Sequence, residues 1–136
     1  MPTRGNFARR TDVPEETTRA NIEHVLKQYG AVGYGITWEG NRWQIKFKIS
    51  NRFVQVDFVV PDGSKQASRS FWRAIYNVIK FKLEAVAIGY STIEREFLPD
   101  VLLPDGSKLG TWIHPQLEQA YKLKKMPPML PWGNQG

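Results

Sequence analysis

The chain has 136 residues, with 19 Lys and Arg against 13 Asp and Glu and no cysteine; this is one domain's worth of chain and excludes a disulfide scaffold or a thiolate zinc site. A hydrophobic share of 41% with 12% aromatics is globular, no apolar run nears the roughly 20 residues of a membrane span, and Met1–Asn6 lacks a secretory-signal stretch. The net charge of +6 is uneven: zero over 1–39, +7 over 40–83, −4 over 84–120 and +3 over 121–136.

Residues 1–13 are polar, contain Arg4, Arg9 and Arg10, and show no hydrophobic period, so they read as a flexible basic arm. A single α+β domain over 14–125 follows. Pro14-Glu15-Glu16-Thr17-Thr18 has the proline, acids and hydroxyls of a helix start. Ile22, Val25, Leu26 and Tyr29 then recur at helical spacing before Gly30, which predicts a helix over about 16–29.

Beyond Gly30 the period becomes two. Val32, Tyr34, Ile36 and Trp38 form one alternating run, Trp43, Ile45, Phe47 and Ile49 a second, and Val54, Val56, Phe58 and Val60 a third. Turn residues Glu39-Gly40-Asn41 and Asn51-Arg52 separate them, which predicts a three-stranded antiparallel meander. One face is apolar, while the other carries Gln44, Lys46, Lys48, Gln55 and Asp57 and is expected to lie uncovered.

A long helix is predicted from about Gln66 or Ala67 to Ile88, with Trp72, Ile75, Ile79, Leu83 and Val86 as its core stripe. Arg69, Arg73 and Lys80 fall on roughly the opposite side, and Lys82, inside the apolar arc, is expected to snorkel to water. Ser91–Glu94 opens a short capped helix, Val101–Leu109 reads as a small hairpin, and a last helix over about 111–122 is expected to bury Trp112, Leu117 and Tyr121. Residues 126–136 read as an extended Pro-rich tail, with Met126–Trp132 draped over the body.

Little here suggests catalysis. His24 and His114 stand in no metal-binding spacing, and no nucleophile elbow, phosphate loop or dinucleotide fingerprint occurs. The Pro-Asp-Gly-Ser-Lys pentapeptide, at 61–65 and 104–108, has the chemistry of a turn in both places. Glu94, Glu96, Asp100 and Asp105 could hold magnesium, or form a solvated acidic face.

The basic middle carries the stronger signal. Arg42, Lys46, Lys48 and Arg52 line the second strand and its turns, and Lys65, Arg69, Arg73 and Lys80 line the long helix. No acid interrupts 40–56 or 63–83, and long cationic side chains in such an array suit phosphate contacts, either on DNA or on RNA. The order helix, three antiparallel strands, helix resembles that of double-stranded RNA-binding domains. That resemblance implies phosphate contacts at the helix start, where Lys65, Arg69 and Arg73 stand and Gln66-Ala67-Ser68 replaces a run of lysines.

Three further stretches resemble a group of small bacteriophage and prophage proteins. They are Thr18–Glu23 with Tyr29-Gly30-Ala31; Phe71–Ala74 through Lys80–Val86; and Leu103–Ser107 with Pro115–Glu118 and Met126-Pro127-Pro128. The resemblance spans most of 17–131 and implies a phage origin among replication or recombination genes; it brings no active-site residues with it.

The expectation is a non-catalytic, cofactor-free phage protein of the host cytoplasm, without a membrane partner, that binds nucleic acid by a basic sheet face and helix stripe. A phage module that inhibits a host defence complex, through the segment 84–105 or the tail, is the alternative. A metal-dependent nuclease stands third.

Overall fold

Two tight turns set the sheet. Gly40-Asn41 joins strands β1 (Gly33–Glu39) and β2 (Arg42–Ile49), and Ser50-Asn51 joins β2 to β3 (Arg52–Val59). Gly40 has φ +63°, while Ser50 and Asn51 have φ of 49° and 61°. These are the left-handed values that two-residue hairpin loops require to match strand twist. The sheet order is β1-β2-β3, antiparallel throughout.

The computed structural model describes the backbone of residues 2–124 and the side chains of residues 15–124. Lys125 and the tail expected over 126–136 lie outside the described residues. Helix α1 runs Pro2–Gln28, so its start, expected near 16, moves to Pro2, and residues 2–13, expected as an arm, fall within it. Hydrophobic periodicity could not mark this extension, because residues 1–13 are polar and show no hydrophobic period. Helix α2 runs Lys65–Ala87, capped by Ser64, whose Oγ accepts from the Ala67 N–H at 3.0 Å. Gly30 and Gly89 follow the two helices at φ +98° and +82°, the left-handed exit that glycine permits at little cost.

Both helices cover the apolar sheet face. Ile22, Val25 and Leu26 of α1 and Trp72, Ile79 and Leu83 of α2 are buried with Ile45, Phe47, Ile49 and Val54 of the sheet. The helices run parallel. Ser68 donates to Glu15 at 2.5 Å, 53 residues away, and Arg19 stacks on Trp72 (5.3 Å) at that same offset. Trp72 meets Trp43 and Phe58 edge-on at 4.8 and 5.3 Å, and Arg19 also lies 5.0 Å from the Trp43 ring. Aromatic edges and a guanidinium thereby close one end of the core.

After α2 come a short helix α3 (Ile93–Glu96), a 3-10 turn (Leu98–Asp100) and helix α4 (Leu109–Leu123). Thr92 caps α3 through the Arg95 N–H at 3.1 Å. Lys82, expected to reach water, instead donates to the Glu96 carbonyl at 2.7 Å and lies 5.3 Å from the Phe97 ring, because α3 folds back over that side of α2. The expected hairpin over 101–109 is laid along the free edge of β3. Val101 bridges Val54, Leu102 bridges Lys108, and Leu102 N–H donates to the Phe53 carbonyl at 2.8 Å. Part of β3's open edge is thus paired.

Helix α4 departs from its expected burial. None of its residues is buried, and Trp112, Leu117 and Tyr121 are exposed. The helix docks mainly on the 3-10 turn, where a Cβ on Gly110 would meet the Pro99 carbonyl oxygen at 2.9 Å. Its half-buried residues are Leu109, Gly110, Ile113, Gln116 and Ala120, so the side facing the domain carries Leu109 and Ile113 and leaves Trp112, Leu117 and Tyr121 outside. No described helix is long and apolar enough to cross a membrane.

One ion-pair clamp fixes the hairpin. Lys108 Nζ lies 2.9 Å from Asp57 Oδ2 on β3 and 2.8 Å from Asp100 Oδ1. Partial burial alone would raise the Asp57 pKa, but hydrogen bonds from Lys108, Gln55 and Gln44 and the Lys108 charge hold it below the ordinary value of 3.8. For Lys108, burial would lower the pKa, and the bonds and charges of Asp100 and Asp57 raise it above 10.5. The stability contributed by Asp57 is present above pH 3.8 and is lost as pH falls through its lower folded value. That of Lys108 is present below pH 10.5 and is lost as pH rises through its higher folded value.

Two expectations follow. Trp72→Ala lowers the unfolding free energy by about 3–5 kcal/mol in urea titrations, as truncation of a buried indole does; a loss under about 1 kcal/mol would place the core elsewhere. Lys108→Met costs ~1 kcal/mol at neutral pH and makes stability fall less steeply with acid below pH 3.8. Superimposable pH profiles for the two proteins would contradict the clamp.

Candidate nucleic-acid interface

Strand alternation puts Arg42, Gln44, Lys46 and Lys48 on the sheet face that the helices leave open. The register sets three cross-strand rows beside them. Gly33 and Phe53 flank Lys48, Gly35 and Gln55 flank Lys46, and Thr37 and Asp57 flank Gln44. A fourth row places Glu39 and Val59 beside Arg42. Arg42, Lys46 and Lys48 make no ion pair among the described residues.

The two glycines make a bare floor beside the lysines. A Cβ at Gly33 or Gly35 would meet nothing within 4 Å, so packing does not demand glycine at either position. The resulting trough is bounded by Val32, Thr37, Lys46, Lys48 and Phe53. Phe53 is 50% exposed and holds Lys48 Nζ 5.2 Å from its ring centroid. Beyond Phe53 a second apolar depression runs to Leu102, Leu103 and Pro104 of the hairpin. Flat backbone, an aromatic ring and cations thus share one surface.

The remaining predicted cations lie elsewhere. Arg52 pairs with Ile49 in the register, which sends its side chain toward the covered face; there it meets Glu94 at 3.7 Å. Lys65, Arg69, Arg73 and Lys80 belong to α2, on the other side of the sheet. Arg69 Nε is buried with no hydrogen-bond partner. Lys80 pairs with Glu84 at 3.9 Å and sits 5.9 Å from the Tyr76 ring. At 100° per residue, Arg69, Arg73 and Lys80 stand roughly 100° from the middle of the core stripe. They therefore occupy a flank of the helix, and a single surface does not hold both basic sets.

Several contributors escaped the reading of the strand itself. Phe53 and the glycines join Lys46 and Lys48 only through cross-strand pairing, which alternation along one strand cannot show. The same pairing brings in the acids Glu39 and Asp57, and Lys108 answers the second. Of the acidic residues once grouped together, Glu94 pairs with Arg52, Asp100 with Lys108, and Asp105 accepts from the Ser107 backbone and hydroxyl at 3.0 and 2.6 Å. No three of His, Asp and Glu converge as metal ligands among the described residues. His24 is exposed, and His114 lies 3.5 Å from Glu118 on the surface of α4.

No family model, curated protein or solved structure matches the chain.

Proposed function

We propose that this protein binds nucleic acid without catalysis, through the open sheet face, with a single-stranded stretch lying across the trough beside β2. The observation that carries this reading is the juxtaposition of Lys46, Lys48 and the exposed Phe53 ring over a floor bared by Gly33 and Gly35. Unpaired bases stack on aromatic rings set in flat sheets, while lysines follow the backbone phosphates. Glycines without a packing role fit a surface where a ligand must approach the backbone closely. Phage origin and action in the host cytoplasm complete the reading, on the strength of the resemblance to phage proteins.

A protein-binding module is a second reading, favoured by the large apolar residues that α4 leaves exposed, Trp112, Leu117, Tyr121 and Leu123. Of these, Leu117 and Tyr121 stand one helical turn apart on one side of α4, and exposed apolar surface commonly marks a partner site. A partner held stoichiometrically after nuclease treatment, and lost on Tyr121→Ser, would support the second reading over the first.

Fluorescence anisotropy with single- and double-stranded oligonucleotides tests the first. The single strand binds more tightly than the duplex, and log Kd rises with log salt with a slope of about 2–3, as expected for three phosphate contacts. Lys46→Glu with Lys48→Glu weakens binding by about tenfold or more, whereas Lys80→Glu on α2 changes it less than about twofold. Gly35→Val leaves stability unchanged or raised, since a β-branched residue suits a strand, and yet weakens binding by filling the floor. Binding insensitive to Gly35→Val and to the lysine pair would overturn the assignment of this face.

A further inference from the structure

The side of α2 that faces away from the sheet carries an apolar stripe beside Ser70, Arg73 and Asn77. Ala67, Phe71, Ala74, Val78, Phe81, Ala85 and Ile88 follow one another at steps of four and three, the heptad spacing that keeps one seam of a helix facing a partner helix. Val78, Phe81 and Ile88 are 49%, 60% and 79% exposed, and Phe71 is half-buried against Phe58 at 5.8 Å. At 1.5 Å per residue the seam runs about 30 Å. This stripe is distinct from the buried one of Trp72, Ile79 and Leu83, and it is not part of the open sheet face.

We propose that this seam is the site where a second copy of the chain docks, α2 against α2, antiparallel about a two-fold axis beside Val78. The sequence of the seam is complementary to its own reverse. Phe81 and Ala74 are equidistant from that axis, as are Ile88 and Ala67, and Phe71 and Ala85 agree to within a residue. Antiparallel pairing therefore sets each large side chain against a small one. Parallel pairing would set Phe81 against Phe81 and leave the alanines facing each other across a void.

Charge points the same way. Arg73 and Glu84 border the seam on one flank and lie at equal distances from a point next to Val78. The two-fold axis thus carries Arg73 of one chain to Glu84 of the other, where it joins the Lys80–Glu84 pair of that chain (3.9 Å). An isologous contact needs this self-complementarity, in which one patch serves both partners.

The chain has no cysteine, so introduced thiols report the geometry. Sedimentation equilibrium of the full chain gives a mass about twice 15.7 kDa, and Phe81→Glu returns it to one chain with unchanged far-ultraviolet circular dichroism. Val78→Lys does the same if Phe81→Glu fails to fold. Under mild oxidation Val78→Cys cross-links to itself; Ala67→Cys and Ile88→Cys cross-link when mixed, and neither does so alone. A monomeric full chain overturns the proposal. So does a dimer that survives both substitutions, or one lost only when residues 125–136 are removed, since those outcomes place the contact elsewhere. Self-cross-linking of Ala67→Cys alone overturns the antiparallel arrangement.

Discussion

A three-stranded sheet with period-two alternation can bury only one of its faces, and the rest of the molecule follows from which face two parallel helices cover. Ile45, Phe47 and Ile49 commit β2 to the helices, and a shift of one residue would exchange them for Lys46 and Lys48. Placing lysine ammonium groups in the core costs far more than any alternative pairing returns. The same alternation that builds the core therefore also displays the cations. Sheet register and the display of these cations are one constraint, fixed by the tight turns at Gly40-Asn41 and Ser50-Asn51.

That constraint explains what could be read in advance. The meander was legible because alternation is a property of each strand alone, and the turn residues between strands are specific. The placement of Arg42, Lys46 and Lys48 on one face came with it. Phe53, Gly33 and Gly35 were not legible as partners of those lysines, because only the register relates them, and glycines in a strand read first as interruptions. Arg52 illustrates the opposite failure. It adjoins the cationic strand in sequence, but one residue of offset turns it to the covered face and to Glu94.

The helices show a different limit. A helix with one buried stripe is normally polar on the other side, so the cations of α2 suggested a polar outer face. The second stripe was hidden because three of its seven positions are alanine, which weighs little in any apolar pattern. In α4 the misreading has the same origin. Apolar spacing identifies a helix, but whether its apolar side meets the domain depends on where the chain enters it, here through the close approach of Gly110 to Pro99. Burial is a tertiary property, and only long stripes specify it from within.

The two surfaces are physically independent, and that independence has a consequence for binding. The sheet face and the outer side of α2 lie on opposite sides of a two-layer domain, so the proposed dimer would stack helix layer on helix layer and turn its two sheet faces outward. Each helix-on-helix step is about 8–10 Å, which leaves the two troughs facing away from each other with the whole helical double layer between them. No short strand can occupy both. A long strand can do so only by passing around the edge of the assembly, where the effective concentration depends on the length of chain between the two contacts. If both proposals hold, dimerisation in this geometry would leave the affinity of one trough unaltered and would strengthen binding only for nucleic acid long enough to turn the corner.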